Sequence, residues 1–350
     1  MHSPDQKRAV EYVIWEITRA CNLRCFHCGA SAGSRLNDEL TLKEALRLCG
    51  DLKSLGTPSV CLMGGEVFLR SDWARIVEEL RKLELHVGII TNGCLLDEPT
   101  AEKLKDFGVC QIGVSLDADR AEVHDEIRGL AGACDAAKKA VRLVNGMPLT
   151  YKTVITSVSK RNVDELERIL DWLLRHTSGF TWMINIASSH DQERFPRKWL
   201  VDASDYLRMA SFVNANRPRY ADKLNITATH DMGYFSQSHP DLHDFVWDGC
   251  PAGLKTLGIQ SNGNVKGCLM LGDEFVEGNV RERSVVEIWN DEDRFAFNRA
   301  FEPHMLAGRC AQCEHGQQCR AGCRDHAFSF TGSPYDYPFC LHRYEACGEL

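Results

Sequence analysis

The run Cys21-Asn22-Leu23-Arg24-Cys25-Phe26-His27-Cys28 follows closely on a strand-like apolar stretch at residues 12–17. Its spacing is C-x3-C-x2-C. Three thiolates on one short loop can hold three irons of a [4Fe-4S] cube, and the fourth iron stays open to a substrate or cofactor. A cluster that only carries electrons normally closes all four positions. The pattern therefore points to a site where chemistry is done. Zinc is the competing occupant, but zinc sites favour two separated C-x2-C pairs over a compact triplet behind a strand.

Working outward, apolar strand-like runs recur at 12–17, 59–63, 86–90, 111–116, 152–156 and 181–186. Between them lie stretches with apolar residues at helical spacing: 41–55 ending near Gly56, 72–83 with Ser71 as its cap, 99–107 ending at Gly108, 133–144 and 163–174. Six strands alternating with helices predict a parallel sheet with helices outside. A closed barrel takes eight, so six leave it open. From about Ser188 the rhythm stops, and a polar segment rich in Asp, His and Arg runs to about Asp248 with one helical piece near 203–213. Its histidines, His190, His230, His239 and His243, read as loop residues. From Cys250 onward the texture changes to short strands, Gly turns and dense cysteines.

The triplet sits at the carboxyl end of its strand, where barrel enzymes place their sites. Gly64-Gly65-Glu66 follows the second strand. Two glycines let backbone approach a ligand closely, and a carboxylate beside them can accept hydrogen bonds from an ammonium group. Thr91-Asn92-Gly93 closes the third strand. The fourth ends in Val114-Ser115-Leu116-Asp117, followed by His124-Asp125 and Arg128-Gly129. Taken alone, Ser115 and Asp117 could simply cap a loop. The carboxyl-terminal pattern is Cys250-x12-Gly263-x4-Cys268, then Cys310-x2-Cys313-x5-Cys319-x3-Cys323, then Cys340. With Cys347 there are eight cysteines in the last 101 residues, the number in two sets of four. A zinc ribbon would explain the C-x2-C pair but gives the Gly-x4-Cys half no place.

Composition limits the alternatives. At 350 residues, with 26% charged and 44% hydrophobic residues, the chain has the make-up of a soluble globular enzyme of about two domains. A formal net charge of −8 argues against nucleic-acid binding, and the short basic stretch 194–199 does not reverse it. No apolar signal region opens the chain and no run is long enough for a membrane span. Sixteen cysteines without a secretion signal point to a reducing, cytoplasmic setting and to metal ligation over disulfides. Cys49, Cys61, Cys94, Cys110 and Cys134 read as buried core thiols.

The triplet, Gly64-Gly65-Glu66 and the strand-four motif together resemble the radical S-adenosylmethionine (SAM) superfamily. The carboxyl-terminal cysteines resemble its SPASM extension at every spacing, and Gly278-Asn279-Val280 with Ile288-Trp289 also fit. The resemblance runs from about Tyr12 to Cys347 and is weakest over 188–248. It implies a partial (β/α)6 TIM-like barrel and a small α+β Cys-rich iron–sulfur domain, with a core at 1–200, a bridging segment at 201–249 and the auxiliary-cluster domain at 250–350. It further implies three [4Fe-4S] clusters. Cys21, Cys25 and Cys28 would hold the catalytic one, whose open iron chelates the amino and carboxylate groups of SAM. His27 stands where the superfamily usually has an aromatic near the adenine. Gly64, Gly65 and Glu66 match the motif that binds the SAM amino group. Ser115 would serve the ribose region and Arg128 the carboxylate, with Asp117 alongside. Cys310, Cys313, Cys319 and Cys340 would hold an outer auxiliary cluster. Cys250, Cys268 and Cys323 would hold an inner one, its fourth position taken by Cys347 or left open.

The implied activity is reductive cleavage of SAM to methionine and a 5′-deoxyadenosyl radical that abstracts hydrogen from an unactivated C–H, with the auxiliary clusters accepting the electron when the substrate radical is oxidised, or binding the substrate directly. A flavodoxin- or ferredoxin-type donor would supply electrons. The expected substrate is a ribosomally made peptide, oxidised or cross-linked. The alternative is a small molecule, through sugar-alcohol oxidation or tailoring of haem side chains. Only 20 residues precede Cys21, so a peptide would need a separate recognition protein or docking through 188–248. A non-enzymatic iron–sulfur carrier would need neither an open triplet nor Gly64-Gly65-Glu66.

Overall fold

Near-continuous runs of Val, Ile and Leu make strands suited to burial on both faces, as a parallel sheet requires. In the computed structural model, which describes residues 9–188, 194–229, 232–243 and 245–348, these runs form the centre of the molecule. The order is β1 (Tyr12–Thr18), α1 (Leu42–Leu55), β2 (Ser59–Gly64), α2 (Trp73–Lys82), β3 (His86–Thr91), α3 (Glu98–Asp106), β4 (Gln111–Ser115), α4 (Ala121–Arg128), α5 (Ala133–Asn145), β5 (Tyr151–Val158), α6 (Leu166–His176), β6 (Phe180–Ile186), α7 (Ala203–Arg219) and β7 (Leu224–Ala228). β1 to β7 are parallel neighbours in chain order. Val13, Trp15, Val60, Leu62, Ile89 and Ile112 are fully buried between sheet and helices.

The sheet has one more barrel strand than the six expected. β7 pairs with β6 from Phe180↔Leu224 to Ile184↔Ala228. It is short, and Asn225 and Thr227 interrupt its apolar pattern, which is why the polar segment hides it. The carboxyl-terminal region extends the same sheet. β8 (Thr256–Ile259) lies parallel to β1, and β9 (Asn264–Lys266) and β10 (Gly278–Asn279) follow antiparallel, giving the order β10-β9-β8-β1-β2-β3-β4-β5-β6-β7. β1 is thereby spared an open edge. Short helices complete this half: α8 (Val285–Asn290), α9 (Ala296–Arg299), α10 (Gly316–Cys319), α11 (Arg324–Thr331) and α12 (Leu341–Cys347).

Local signals largely act as their chemistry dictates. Thr41 and Glu44 form a reciprocal capping box on α1, and Gly56 ends it at φ 82°. Ser71 does not cap α2; the position falls to Asp72, whose side chain makes no capping bond. Cys49, Cys61 and Cys134 are buried core thiols, whereas Cys94 and Cys110 are half-buried. His239 bonds to Ser238 Oγ at 2.8 Å and His243 Nε2 to Met232 O at 3.0 Å, both within loops. His190 and His230 lie outside the described residues. Among the described residues no helix is long and apolar enough to cross a membrane.

Candidate active site

The cysteine loop is seated by backbone bonds on both sides. Cys21 N–H donates to Gly33 O at 3.0 Å and Gly33 N–H to Arg19 O at 2.9 Å. Arg24 and Phe26 N–H donate to Arg128 O and Ile127 O at 3.0 and 3.2 Å, docking the loop on the end of α4. From the β2 side, Gly65 N–H donates to Thr18 O and Glu66 N–H to Ala20 O, both at 2.8 Å. A Cβ on Gly65 would lie 2.2 Å from Ala20 O, and one on Gly64 2.3 Å from Thr18 O. The paired glycines therefore let the turn after β2 press directly on the backbone that leads into Cys21.

N–H donors converge on the three sulfurs. Leu23 N–H reaches Cys21 Sγ at 3.4 Å, Ala32 N–H reaches Cys28 Sγ at 3.3 Å, and Arg128 Nη1 reaches Cys25 Sγ at 3.7 Å. Burial pushes the Cys21 thiol up to about 11, with Cys25 and Cys28 adding to the rise. Burial also raises Cys25, against the opposing pull of Arg128. Close thiols, costly to ionise together yet supplied with donors, suit ligation of a cationic iron–sulfur group, which stabilises thiolates. A fourth thiol lies beside them: Cys94 packs with Cys21 and Cys28 around Leu23, Cys25 and Ala133.

Glu66 is 1% exposed. Its Oε1 accepts from Thr91 Oγ1 at 2.8 Å and its Oε2 from Asn92 N–H at 2.9 Å. Burial pushes its pKa up to about 7 despite these donors. The carboxylate ties the end of β2 to the end of β3 beside the cysteine loop, and Asn92 Nδ2 in turn bonds Asn22 Oδ1 at 2.8 Å.

Asp117 lies entirely inside. Its Oδ2 faces Arg128 Nε at 2.7 Å and His27 Nε2 at 3.0 Å, while Ser157 N–H donates to Oδ1 at 3.0 Å. Burial opposes its ionisation, but Arg128 and His27 outweigh burial and hold its carboxyl below the usual carboxylate range. Beside it, His124 is pushed down to about 4 by burial and by Arg128, and its Nδ1 accepts from Asp117 N–H at 3.1 Å. Asp117 thus fixes His27 and Arg128 against the loop, while half-buried Ser115 ends β4 next to it. His27 Nδ1 is buried with no hydrogen-bond partner among the described residues, a polar atom that a ligand would satisfy.

The carboxyl-terminal cysteines gather in two groups. Cys319 feels the charges of Cys340, Cys310 and Cys313, and burial raises it to about 12. Cys310 rises to about 11 by burial, with Cys340 and Cys313 nearby. In the second group, burial and the charges of Cys250 and Cys268 raise Cys323 well above its ordinary value. Burial also raises Cys268, to about 12. Both groups have the donor chemistry to hold an iron–sulfur cluster. The segment after Cys268 meets the triplet loop, for a Cβ on Gly29 would lie 2.4 Å from Met270 Cε. Ser188 Oγ, just past β6, meets His326 Nε2 of α11 at 3.1 Å. The side chain of Cys347 lies outside the described residues.

Residues 15–173 match the model of the radical SAM superfamily, and residues 250–314 match that of an iron–sulfur cluster-binding domain, SPASM. Over 352 residues the chain is 29% identical to the AdoMet-dependent heme synthase of Methanosarcina barkeri, covering 96% of this chain and 97% of the relative. It is 28% identical over 344 residues to the mycofactocin maturase MftC of Mycolicibacterium smegmatis, covering 93% and 80%. Its fold is similar to that of Streptococcus suis SuiB bound to precursor peptide SuiA, with a TM-score of 0.75 at 19% identity over 94% of this chain and 75% of that one.

Proposed function

We propose that this chain, which belongs to the radical SAM superfamily and carries a SPASM iron–sulfur domain, oxidises or cross-links a ribosomally made peptide. When bound, SAM and the [4Fe-4S] cluster supply a 5′-deoxyadenosyl radical that takes hydrogen from an unactivated C–H. Cys21, Cys25 and Cys28 hold that cluster. Gly64 and Gly65 press the turn against the cysteine loop, and Glu66 offers a carboxylate to the SAM ammonium. Asp117 fixes His27 and Arg128 for the adenine and carboxylate ends, and Ser115 lines the ribose side.

Cys310, Cys313, Cys319 and Cys340 hold an outer auxiliary cluster and Cys250, Cys268 and Cys323 an inner one, three clusters in all. The observation that supports oxidation of the substrate is the contact of Gly29, next to Cys28, with Met270, two residues past Cys268. An electron leaving a substrate radical would need an acceptor at that place. An external flavodoxin- or ferredoxin-type donor would supply the electron that the triplet site needs.

The peptide reading is supported by the 28% identity to a maturase over 93% of this chain. Its alternative, an iron tetrapyrrole, is supported by 29% identity to a heme synthase over 97% of that relative. The test is anaerobic incubation of reconstituted protein with SAM, dithionite and either a short peptide encoded beside its gene or an iron porphyrin. A peptide product lighter by two hydrogens supports the first reading. Turnover of the porphyrin alone replaces it with the second.

A further inference from the structure

We propose that Glu314, His315 and His342 bind one divalent transition-metal ion, best suited to zinc, apart from the cysteine sites. Glu314 and His315 lie in the turn between Cys313 and α10, and His342 is the second residue of α12, whose N-cap is Cys340. One ligand atom from each, a carboxylate oxygen and two imidazole nitrogens, lies within 4.8 Å of the other two. His342 Nε2 stands 3.5 Å from Glu314 Oε1. Donors about 2.0–2.1 Å from a tetrahedral zinc are about 3.3–3.4 Å from one another. Small side-chain rotations therefore close the set around an ion. Two imidazoles and a carboxylate, with a fourth position for water, form a recurrent zinc donor set. At such nitrogen and oxygen sites zinc binds more tightly than ferrous iron.

Neighbouring contacts hold the donors in place without using them up. His315 stacks on Phe235 with ring centroids 4.4 Å apart and 9° between planes, and it meets His342 edge-on at 4.5 Å and 73°. Glu345, further along α12, accepts from Gln237 N–H at 2.9 Å and Ser238 N–H at 3.1 Å. The loop that stacks on His315 is thus tied to the helix that carries His342. An ion pair between His342 and Glu314 accounts for only two of the three groups, and 3.5 Å is at the outer limit of a hydrogen bond. Among the described residues no protein group hydrogen-bonds the His315 ring. Glu314 is exposed, which gives the ion a path from solvent. A bound ion would clamp the turn after Cys313 to the start of α12. None of its ligands is a thiol, so the site stands whether or not those cysteines hold a cluster.

The test uses the full chain with its clusters reconstituted, dialysed anaerobically against micromolar free zinc, with zinc and iron counted per chain. One zinc per chain with iron unchanged is expected. X-ray absorption at the zinc edge is expected to show nitrogen and oxygen neighbours at about 2.0–2.1 Å and no sulfur at about 2.3 Å. His342→Gln is expected to retain iron and weaken zinc binding by at least about 10–100-fold, the cost of losing even an outer partner of a metal site. Glu314→Gln, at an exposed position, is expected to weaken it too, and keeps the test readable if the first variant sheds iron. Sulfur neighbours at the zinc, iron lost as zinc enters, no zinc bound, or unchanged zinc affinity in both variants overturns the assignment.

Discussion

Replacing Glu66 by Gln should make the ligand-free protein more stable and its SAM site weaker. In the folded chain the carboxyl has a pKa of about 7, raised chiefly by burial from an ordinary 4.5. A gap of that size corresponds to about 3 kcal/mol at 1.36 kcal/mol per pH unit. The side chain is wholly buried, so solvent screening removes little of it. Below pH 4.5 both folded and unfolded carboxyls are protonated and the stabilisation is fully present. As pH rises through the folded value of about 7, the unfolded state ionises first and that stability is lost. Glutamine is neutral throughout and of the same shape. Its oxygen can accept from Asn92 N–H and its amide can donate to Thr91 Oγ1. Glu66→Gln should therefore exceed the wild type by about 3 kcal/mol at pH 8 and converge with it toward pH 5. SAM brings an ammonium that favours the ionised carboxylate, so the variant should lose about 2–5 kcal/mol of SAM binding. Anaerobic urea unfolding of reconstituted protein across pH 5.5 to 8.5, with SAM titrations at pH 8, would check both. A Gln variant less stable than wild type at pH 8, or one that binds SAM equally well, refutes the reasoning.

Gly65→Ala sets a Cβ 2.2 Å from Ala20 O and should cost about 1–3 kcal/mol, with iron lost from the amino-terminal loop on reconstitution. Asp117→Asn strips Arg128 and His27 of their counter-charge and should cost about 3–5 kcal/mol in unfolding experiments. Since the folded pKa of Asp117 is lowered, that deficit should persist through neutral pH and close only as pH falls below about 3.8. Cys319→Ala should lower product formation far more than SAM affinity. Full product yield from a folded variant would make the carboxyl-terminal clusters structural only.

The barrel was legible because its strands are buried on both faces and read as apolar runs. β7 was not, since a short edge strand bearing Asn225 and Thr227 looks like loop. The sheet's continuation through β8 was hidden for another reason: Thr256–Ile259 pairs with Tyr12–Trp15 across more than two hundred residues, and no local pattern encodes that register. Among site residues, Gly64-Gly65-Glu66 stood out as a strand-end motif, but its packing on Thr18 and Ala20 requires the loop in place. Asp117 was visible as a strand-end polar residue; its burial under His27 and Arg128 depends on tertiary contacts. That Cys94 packs against the cysteine loop depends on tertiary contact, since an isolated cysteine gives no sign of the loop it meets.

The central claim is that the Cys21, Cys25 and Cys28 loop makes SAM chemistry. The direct measurement is 5′-deoxyadenosine and methionine released when anaerobically reconstituted, dithionite-reduced protein is given SAM. Equal amounts of both from the wild type, and neither from a variant with the three cysteines changed to Ala that retains its auxiliary iron, are the predicted result. Wild-type protein with full iron that releases no 5′-deoxyadenosine, or the same yield from the triple variant, would contradict it.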